Sequence, residues 1–120
     1  MTSIFTDTTV PAIAPLNVMS QIVSSKSIYV TWEEIPPIDR NGIITLYEVL
    51  YVPFKLETFD EAISADIVNT TDLSYLLVNL QEYVSYNISV RAYTSVGSGP
   101  YSIPITNQTL EDSKLLVWLF

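Results

Sequence analysis

The chain has 120 residues, a net charge of −8 from 13 acidic and five basic side chains, and neither cysteine nor histidine. The length allows one domain, and the missing side chains exclude disulfides, thiolate or imidazole metal sites and thiol or imidazole catalysis. The acidic balance argues against a nucleic-acid ligand, which needs a basic surface, and a hydrophobic content of 48% excludes a disordered chain.

Hydrophobic residues alternate with a period of two in short segments separated by turn residues, which predicts β-strands and no helix. In chain order, we expect strands at 16–23, 27–32, 47–51, 75–80, 86–92 and 101–109, with a short edge strand within the acidic stretch 57–72. Seven short strands at this spacing predict an all-β fold, a seven-stranded antiparallel β-sandwich with sheets of three and four strands.

The same alternation predicts which side chains face the core. In the segment 86–92, Tyr86, Ile88 and Val90 share one face, while Asn87 falls on the opposite face. Large aromatic side chains on inner faces fill the space between two sheets. The predicted core consists of Trp32, Tyr47, Val49, Leu80, Tyr86, Ile88 and Val90.

The order and spacing of these residues resemble a fibronectin type III domain. Trp32 closes the second strand, Tyr86 follows Leu80 by six residues, and a Gly-Ser-Gly-Pro turn comes after the Tyr86 strand. The resemblance implies a tyrosine corner, in which the buried Tyr86 bonds through its hydroxyl to the preceding backbone. Glu82 stands where the family usually has proline, so we expect a less rigid corner.

The resemblance also sets the domain bounds. It covers residues 11–110, which leaves 1–10 as an N-terminal linker and 111–120 as a C-terminal linker or the truncated start of a further segment. The apolar run 115–120 has three interpretations: the clipped start of a membrane span or of a next domain, an artefact, or a terminal strand that docks on the fold.

Three Asn-x-Ser/Thr sequons, at Asn69, Asn87 and Asn107, are candidate N-glycosylation sites. Alternation places Asn87 on the outer face of its strand, and we expect Asn69 in an accessible polar loop. The alternative is chance, because Asn, Ser and Thr are common in this chain. The five acids between residues 57 and 72 match no calcium-loop spacing and are expected to form a solvated face.

Outward apolar residues have two interpretations: a patch that contacts a protein partner, or the scattered exposed apolar residues that are normal on a protein surface. Leu46 and Leu50 face away from the core beside Tyr93, and Ser98 lies in the loop 94–100. Some members of the resembled family carry an integrin-recognition tripeptide in that loop. No Arg-Gly-Asp occurs here, so this function is not carried over. A glycan on Asn87 would cover part of the patch.

Catalysis finds no support in the sequence. The stretch Gly97-Ser98-Gly99 lacks the Gly-x-Ser-x-Gly pattern of a nucleophilic serine, and no histidine is present to activate it. The adjacent Glu33 and Glu34 point to opposite faces of their strand, so they cannot act together as an acid–base pair. We therefore expect no enzyme activity, no metal and no cofactor.

These observations predict a non-catalytic protein-interaction, adhesion or spacer module of a larger cell-surface or extracellular protein. Its expected partners are proteins, including neighbouring tandem domains, and it would reach a membrane only through the parent protein. Two alternatives stay open. The chain is an accessory domain of a receptor tyrosine phosphatase or kinase, or of a secreted enzyme, whose activity lies elsewhere; or it is an intracellular structural scaffold module with accidental sequons.

Overall fold

The computed structural model describes residues 8–54 and 65–110 of the chain. The predicted terminal run 115–120 and the acidic residues Glu57, Asp60 and Glu61 lie outside these ranges. The elements in chain order are β1 (Leu16–Ser24), β2 (Ser27–Glu33), α1 (Pro37–Arg40), β3 (Leu46–Phe54), β4 (Asp66–Thr70), β5 (Ser74–Leu77), β6 (Ser85–Tyr93) and β7 (Ile105–Gln108).

The strands form two antiparallel sheets. One has three strands in the order β1-β2-β5, and the other has four in the order β4-β3-β6-β7. The predicted all-β sandwich of three and four strands is therefore confirmed.

Three local predictions need correction. A single-turn helix, α1, follows Pro36 and ends where Asn41 takes a left-handed φ of 57°, as proline and asparagine favour at helix starts and ends. The last strand begins at Ile105 rather than at residue 101, because Pro104 has no N–H for the ladder. Strand β5 ends at residue 77, before Asn79 turns the chain with a φ of 59°.

The core lies between the inner faces of the two sheets. The seven predicted core residues all lie there, and none is more than 6% exposed. The rings of Trp32 and Tyr47 pack at 58° with centroids 5.6 Å apart, a tilted geometry that aromatic pairs favour. Trp32 thus fills the space between the sheets, with its indole Nε1 lacking a hydrogen-bond partner among the described residues.

The turn before β6 is held from two sides. The backbone N–H of Gln81 donates to the Tyr86 hydroxyl oxygen at 2.8 Å. On the far side, the Thr109 hydroxyl donates to the carbonyl of Gln81 at 2.7 Å and accepts from the N–H of Val84 at 3.0 Å. Thr109, which follows β7, therefore supports the corner beside Glu82, the position where the resembled family usually has proline.

At the opposite end of β6, the residues before β1 are bound to two loops. We call residues 8–12 the N-terminal strap. The N–H of Thr9 donates to the carbonyl of Asn41 at 2.9 Å, and the amide of Asn41 donates to the carbonyl of Val10 at 3.0 Å. The hydroxyl of Thr94 donates to the carbonyl of Thr9 at 2.8 Å. Residues 8–10, expected as linker, are thus held against the sandwich.

The loop that follows β6 packs closely on this strap. A Cβ at Gly99 would lie 2.8 Å from the carbonyl oxygen of the buried Pro11, which is closer than side chains approach backbone. Within the loop, the N–H of Thr94 donates to the carbonyl of Gly97 at 3.0 Å, and that of Gly99 donates to Ala92 at 2.9 Å. The loop is therefore fixed both internally and by the strap.

Candidate functional site

The outer face of the four-stranded sheet has a buried acid at its centre. Glu48 points away from the core, opposite Arg91 on the neighbouring strand, yet it is only 4% exposed. The guanidinium of Arg91 donates from Nε to the carboxylate at 3.0 Å. The hydroxyls of Tyr93 and Tyr101 donate to the same carboxylate. We call these four residues the Glu48 cluster.

The Glu48 cluster is also stacked. The guanidinium carbon of Arg91 lies 4.3 Å from the centroid of the Tyr101 ring and 5.4 Å from that of Tyr93, which is the geometry of a cation–π contact. Tyr101 reaches the cluster because Ser102 bonds to β6: the N–H of Ser102 donates to the carbonyl of Val90 at 2.8 Å. The segment before β7 therefore covers Glu48.

Electrostatics within the cluster favour the ion pair. Burial alone would raise the pKa of the Glu48 carboxyl, but hydrogen bonds from Tyr101, Tyr93 and Arg91 together lower it below its ordinary value. Burial and the hydrogen bond to Glu48 raise the pKa of Tyr101 to about 12. Glu48 thus stays charged and Tyr101 stays neutral at physiological pH.

This arrangement favours structure over chemistry. The Glu48 carboxylate already accepts hydrogen bonds from three side chains, and the low pKa that they impose makes it a poor base. Within residues 8–54 and 65–110, no group of three or more acidic side chains could hold a metal ion. Sequence reasoning missed the cluster, although the opposed charges of Glu48 and Arg91 would have indicated it once the strand register was known.

The cluster divides the predicted partner-contact patch. Leu46 lies directly opposite Tyr93, which also bridges to Ser98, so these three positions come together at one end of the sheet. Leu50 lies two positions beyond Glu48, opposite Ser89. The four predicted residues therefore form two separate surfaces, and the hydroxyl of Tyr93 is held within the cluster.

Two sequons lie on this same outer face. Asn69 is exposed on β4, opposite Glu48, so its expected location in a loop is wrong. Asn87 is half-buried on β6, opposite Val52, and its side-chain oxygen accepts a hydrogen bond from Thr106 at 2.8 Å. Both side chains point outward because they oppose outward positions of β3.

The third sequon is built into the fold. The side-chain amide of Asn107 on β7 donates to the hydroxyl of Ser20 on β1 at 2.9 Å, which joins the edges of the two sheets. Its threonine, Thr109, is buried in the turn before β6. The atom that would carry a sugar at Asn107 is therefore already engaged.

The outer face of the three-stranded sheet has several exposed apolar side chains. Met19 and Val23 on β1, Tyr29 on β2 and Leu76 on β5 are between 38% and 61% exposed. Tyr29 lies opposite Leu76 on β5 and opposite the exposed Gln21 on β1, which Met19 and Val23 flank along their strand. We call this surface the three-stranded face. Which residues lie beside Tyr29 depends on the pairing of β2 with β1 and β5.

The described part of the chain has no helix of the length and apolarity that crossing a membrane requires.

Comparison with known proteins assigns the family. The model of the fibronectin type III domain matches residues 13–108. The chain is 36% identical over 103 residues to chicken protein sidekick-1, and 35% identical over 102 residues to human receptor-type tyrosine-protein phosphatase F. These matches cover 86% and 85% of this chain but only 5% of each relative.

A solved structure agrees with these matches. The third fibronectin III domain of human KIAA0343 protein superposes with a TM-score of 0.77 at 25% identity, covering 87% of this chain and 86% of that domain. The sandwich, its corner and the family match agree along nearly the whole described chain, and the chain belongs to the fibronectin type III family.

Proposed function

We propose that this domain is an extracellular interaction and spacer module of a larger cell-surface protein, glycosylated at Asn69 and Asn87. The domain itself is non-catalytic, and 11–110 are its proposed bounds. The observation that carries the proposal is the presence of two sequons on one accessible sheet face, which suits a protein that folds in the secretory pathway. The similarity to a receptor-type phosphatase supports a cell-surface parent.

The mechanism is one of spacing and presentation. The N-terminal strap ties the chain down at one end of β6, and Thr109 ties it down at the other. A module fixed at both ends gives neighbouring domains of the parent protein a defined separation. Protein partners would contact the surface formed by Leu46, Tyr93 and Ser98. This surface lies next to the strap, and the pair of Glu48 and Arg91 separates it from Asn87.

The second candidate is an accessory domain of an enzyme. The similarity to receptor-type tyrosine-protein phosphatase F favours it, since the chain spans 5% of that protein. Under this alternative the domain acts in the same way, and the activity belongs to another part of the parent. The coding sequence on either side of residues 1–120 distinguishes the two candidates, because a phosphatase or kinase domain there would establish the second.

Secretion from eukaryotic cells tests the glycosylation. Treatment with an N-glycosidase should remove the mass of two glycans, and Asn69→Gln and Asn87→Gln should each remove one of them. Asn107→Gln should leave the glycan mass unchanged, because the Asn107 amide is bound to Ser20.

A matched pair of variants controls for folding. Thr71→Ala destroys the Asn69 sequon and should abolish that glycan, whereas Thr71→Ser preserves the sequon and the glycan. Secreted protein that loses no mass on glycosidase treatment would contradict the proposed compartment, and would favour the intracellular scaffold alternative instead.

A further inference from the structure

The three-stranded face has an apolar centre. Tyr29 and Leu76 are directly paired across β2 and β5, and Met19 lies on β1 opposite Thr31, two residues further along β2. Each of these three apolar side chains is exposed. Gln21 lies directly opposite Tyr29 on β1, so the apolar side chains are grouped around one polar residue. Exposed apolar groups rimmed by polar residues occur at interaction sites.

Opposite charges stand at the two ends of this face. Lys26 is exposed in the turn that precedes β2. Glu33 is exposed on the outer side of β2 at its other end, where one carboxylate oxygen accepts a hydrogen bond from the amide of Asn17 at 2.8 Å. Tyr29 lies close to midway between them along the strand. The face therefore has a basic end, an apolar middle and an acidic end.

This order of charges is complementary to itself. When two copies of the face meet about a two-fold axis that runs across β2 at Tyr29, the two β2 strands are antiparallel. Lys26 of each copy then lies near Glu33 of the other, and the apolar side chains meet at the centre. An apolar centre with a polar rim is the usual anatomy of an interface, and a two-fold axis requires such self-complementarity.

We propose that the three-stranded face is a self-association surface, which binds the same face of a second copy of this chain in that antiparallel arrangement. The opposite sheet is less suited to this role, since the charged Glu48 cluster lies at its centre and both outward sequons lie on it. The proposal goes beyond the proposed function and holds whether or not the sequons are used.

The size of the face makes this association weak. Strands of nine, seven and four residues, at about 3.3 Å per residue and about 4.8 Å apart, give a face of roughly 320 Å² per copy. Stable complexes bury about 800 Å² per partner, so we expect a dissociation constant on the order of 0.1–1 mM in solution. Several such contacts between arrays on two surfaces would reinforce one another through effective concentration.

Sedimentation velocity of the full chain, from about 10 µM to about 1 mM, tests the proposal across the expected range. Leu76→Glu should weaken dimerisation at least tenfold, because it places a charge at the apolar centre. Ile67→Glu is the matched control: Ile67 is 52% exposed on the edge strand of the other sheet, Leu76 is 42% exposed, and both variants change the net charge equally. Ile67→Glu should leave dimerisation unchanged.

A charge exchange tests the orientation. Glu33→Lys makes the chain less acidic, so a smaller net-charge repulsion would by itself strengthen association. The proposal predicts weaker association instead, because the variant loses the pair between Glu33 of one copy and Lys26 of the other. Lys26→Glu should also weaken association. The double variant has the net charge of the original chain and restores both pairs in reversed order, so it should dimerise within about threefold of the original.

Several results would overturn the proposal. These are a monomer at the highest concentration, equal effects of Leu76→Glu and Ile67→Glu, or a double variant no stronger than the single ones. Association that survives Leu76→Glu would place the contact elsewhere, for example in the apolar run 115–120, and would equally reject it. So would binding of a different protein to this face without self-association.

Discussion

Replacing Glu48 by glutamine isolates the contribution of the buried ion pair. Glutamine keeps the shape of the side chain and one acceptor oxygen, but it replaces the second oxygen with an amide group. That amide would face donors that now bond to the carboxylate, namely Arg91 and one of the two tyrosine hydroxyls. The positive charge of Arg91 would lose its counter-charge at the same time.

The magnitude follows from the number of bonds and their burial. Hydrogen bonds to a charged group contribute about 1.5–3 kcal/mol each, and about two are disrupted. The side chain of Arg91 is 26% exposed and that of Glu48 is 6% exposed, so water compensates the arginine in part. We expect Glu48→Gln to lower the free energy of unfolding by about 2–3 kcal/mol at pH 7.

Urea denaturation followed by tryptophan fluorescence measures this difference, because Trp32 leaves the core on unfolding. Glu34→Gln provides a matched control. Glu34 pairs with Arg40 at 3.1 Å, nearly the same distance as the 3.0 Å pair of Glu48, but its side chain is 62% exposed. Exposed pairs contribute about 0–1 kcal/mol, so this variant should change the stability by less than about 1 kcal/mol.

The pH dependence gives an independent check. Because the pKa of Glu48 is lowered in the folded state, its stabilisation is present above the unfolded pKa of about 4.3 and is lost as the pH falls through the folded value. The difference between the original chain and Glu48→Gln should therefore shrink below about pH 4. A difference under about 0.5 kcal/mol at pH 7, or one that stays constant on acidification, would refute the reasoning.

Three further predictions concern the corner, the strap and the tyrosines. Tyr86→Phe should cost about 1–3 kcal/mol in urea denaturation because it leaves a backbone N–H unpaired, and a loss below a few tenths would reject the corner. Gly99→Ala should lower the free energy of unfolding by about 1–3 kcal/mol, because the new Cβ would collide with Pro11. Gly97→Ala should lower it much less, since a Cβ there would lie 3.5 Å from its nearest neighbour. Equal losses would contradict the close packing at Gly99. In an ultraviolet titration, the Tyr101 hydroxyl should ionise near pH 12, and Tyr101→Phe should remove that transition. Absence of any ionisation near pH 12 would contradict the burial of Tyr101.

Local patterns sufficed for the fold but not for the outer faces. Trp32 and Tyr86 could be assigned to the core because alternation alone determines which side of a strand a residue occupies. Glu48 lies on the outward side of β3, yet it is buried beneath Tyr101, which is 53 residues away in the chain. Contacts of that range depend on how the segment before β7 folds back, and periodicity does not encode it.

The sequons show the same limit. Asn69 lies in a strand because β4 pairs with β3, although its own segment has little periodicity. Asn107 matches the same tripeptide pattern as Asn87, but its amide is engaged by Ser20, 87 residues earlier. The tripeptide motif is the same at all three positions, and tertiary contacts make the three asparagines different.

The two tethers at the ends of β6 determine how the domain would respond to mechanical tension. A pull on the N-terminus reaches the bonds between Thr9 and the loops of Asn41 and Thr94 before it reaches any strand. Among the described residues, a pull on the other end meets the bond from the N–H of Tyr83 to the carbonyl of Leu110, and then Thr109, which is held to Gln81 and the N–H of Val84. Stretching would therefore break these tethers before either sheet is sheared, so the domain could lengthen slightly under low force while its core stays closed.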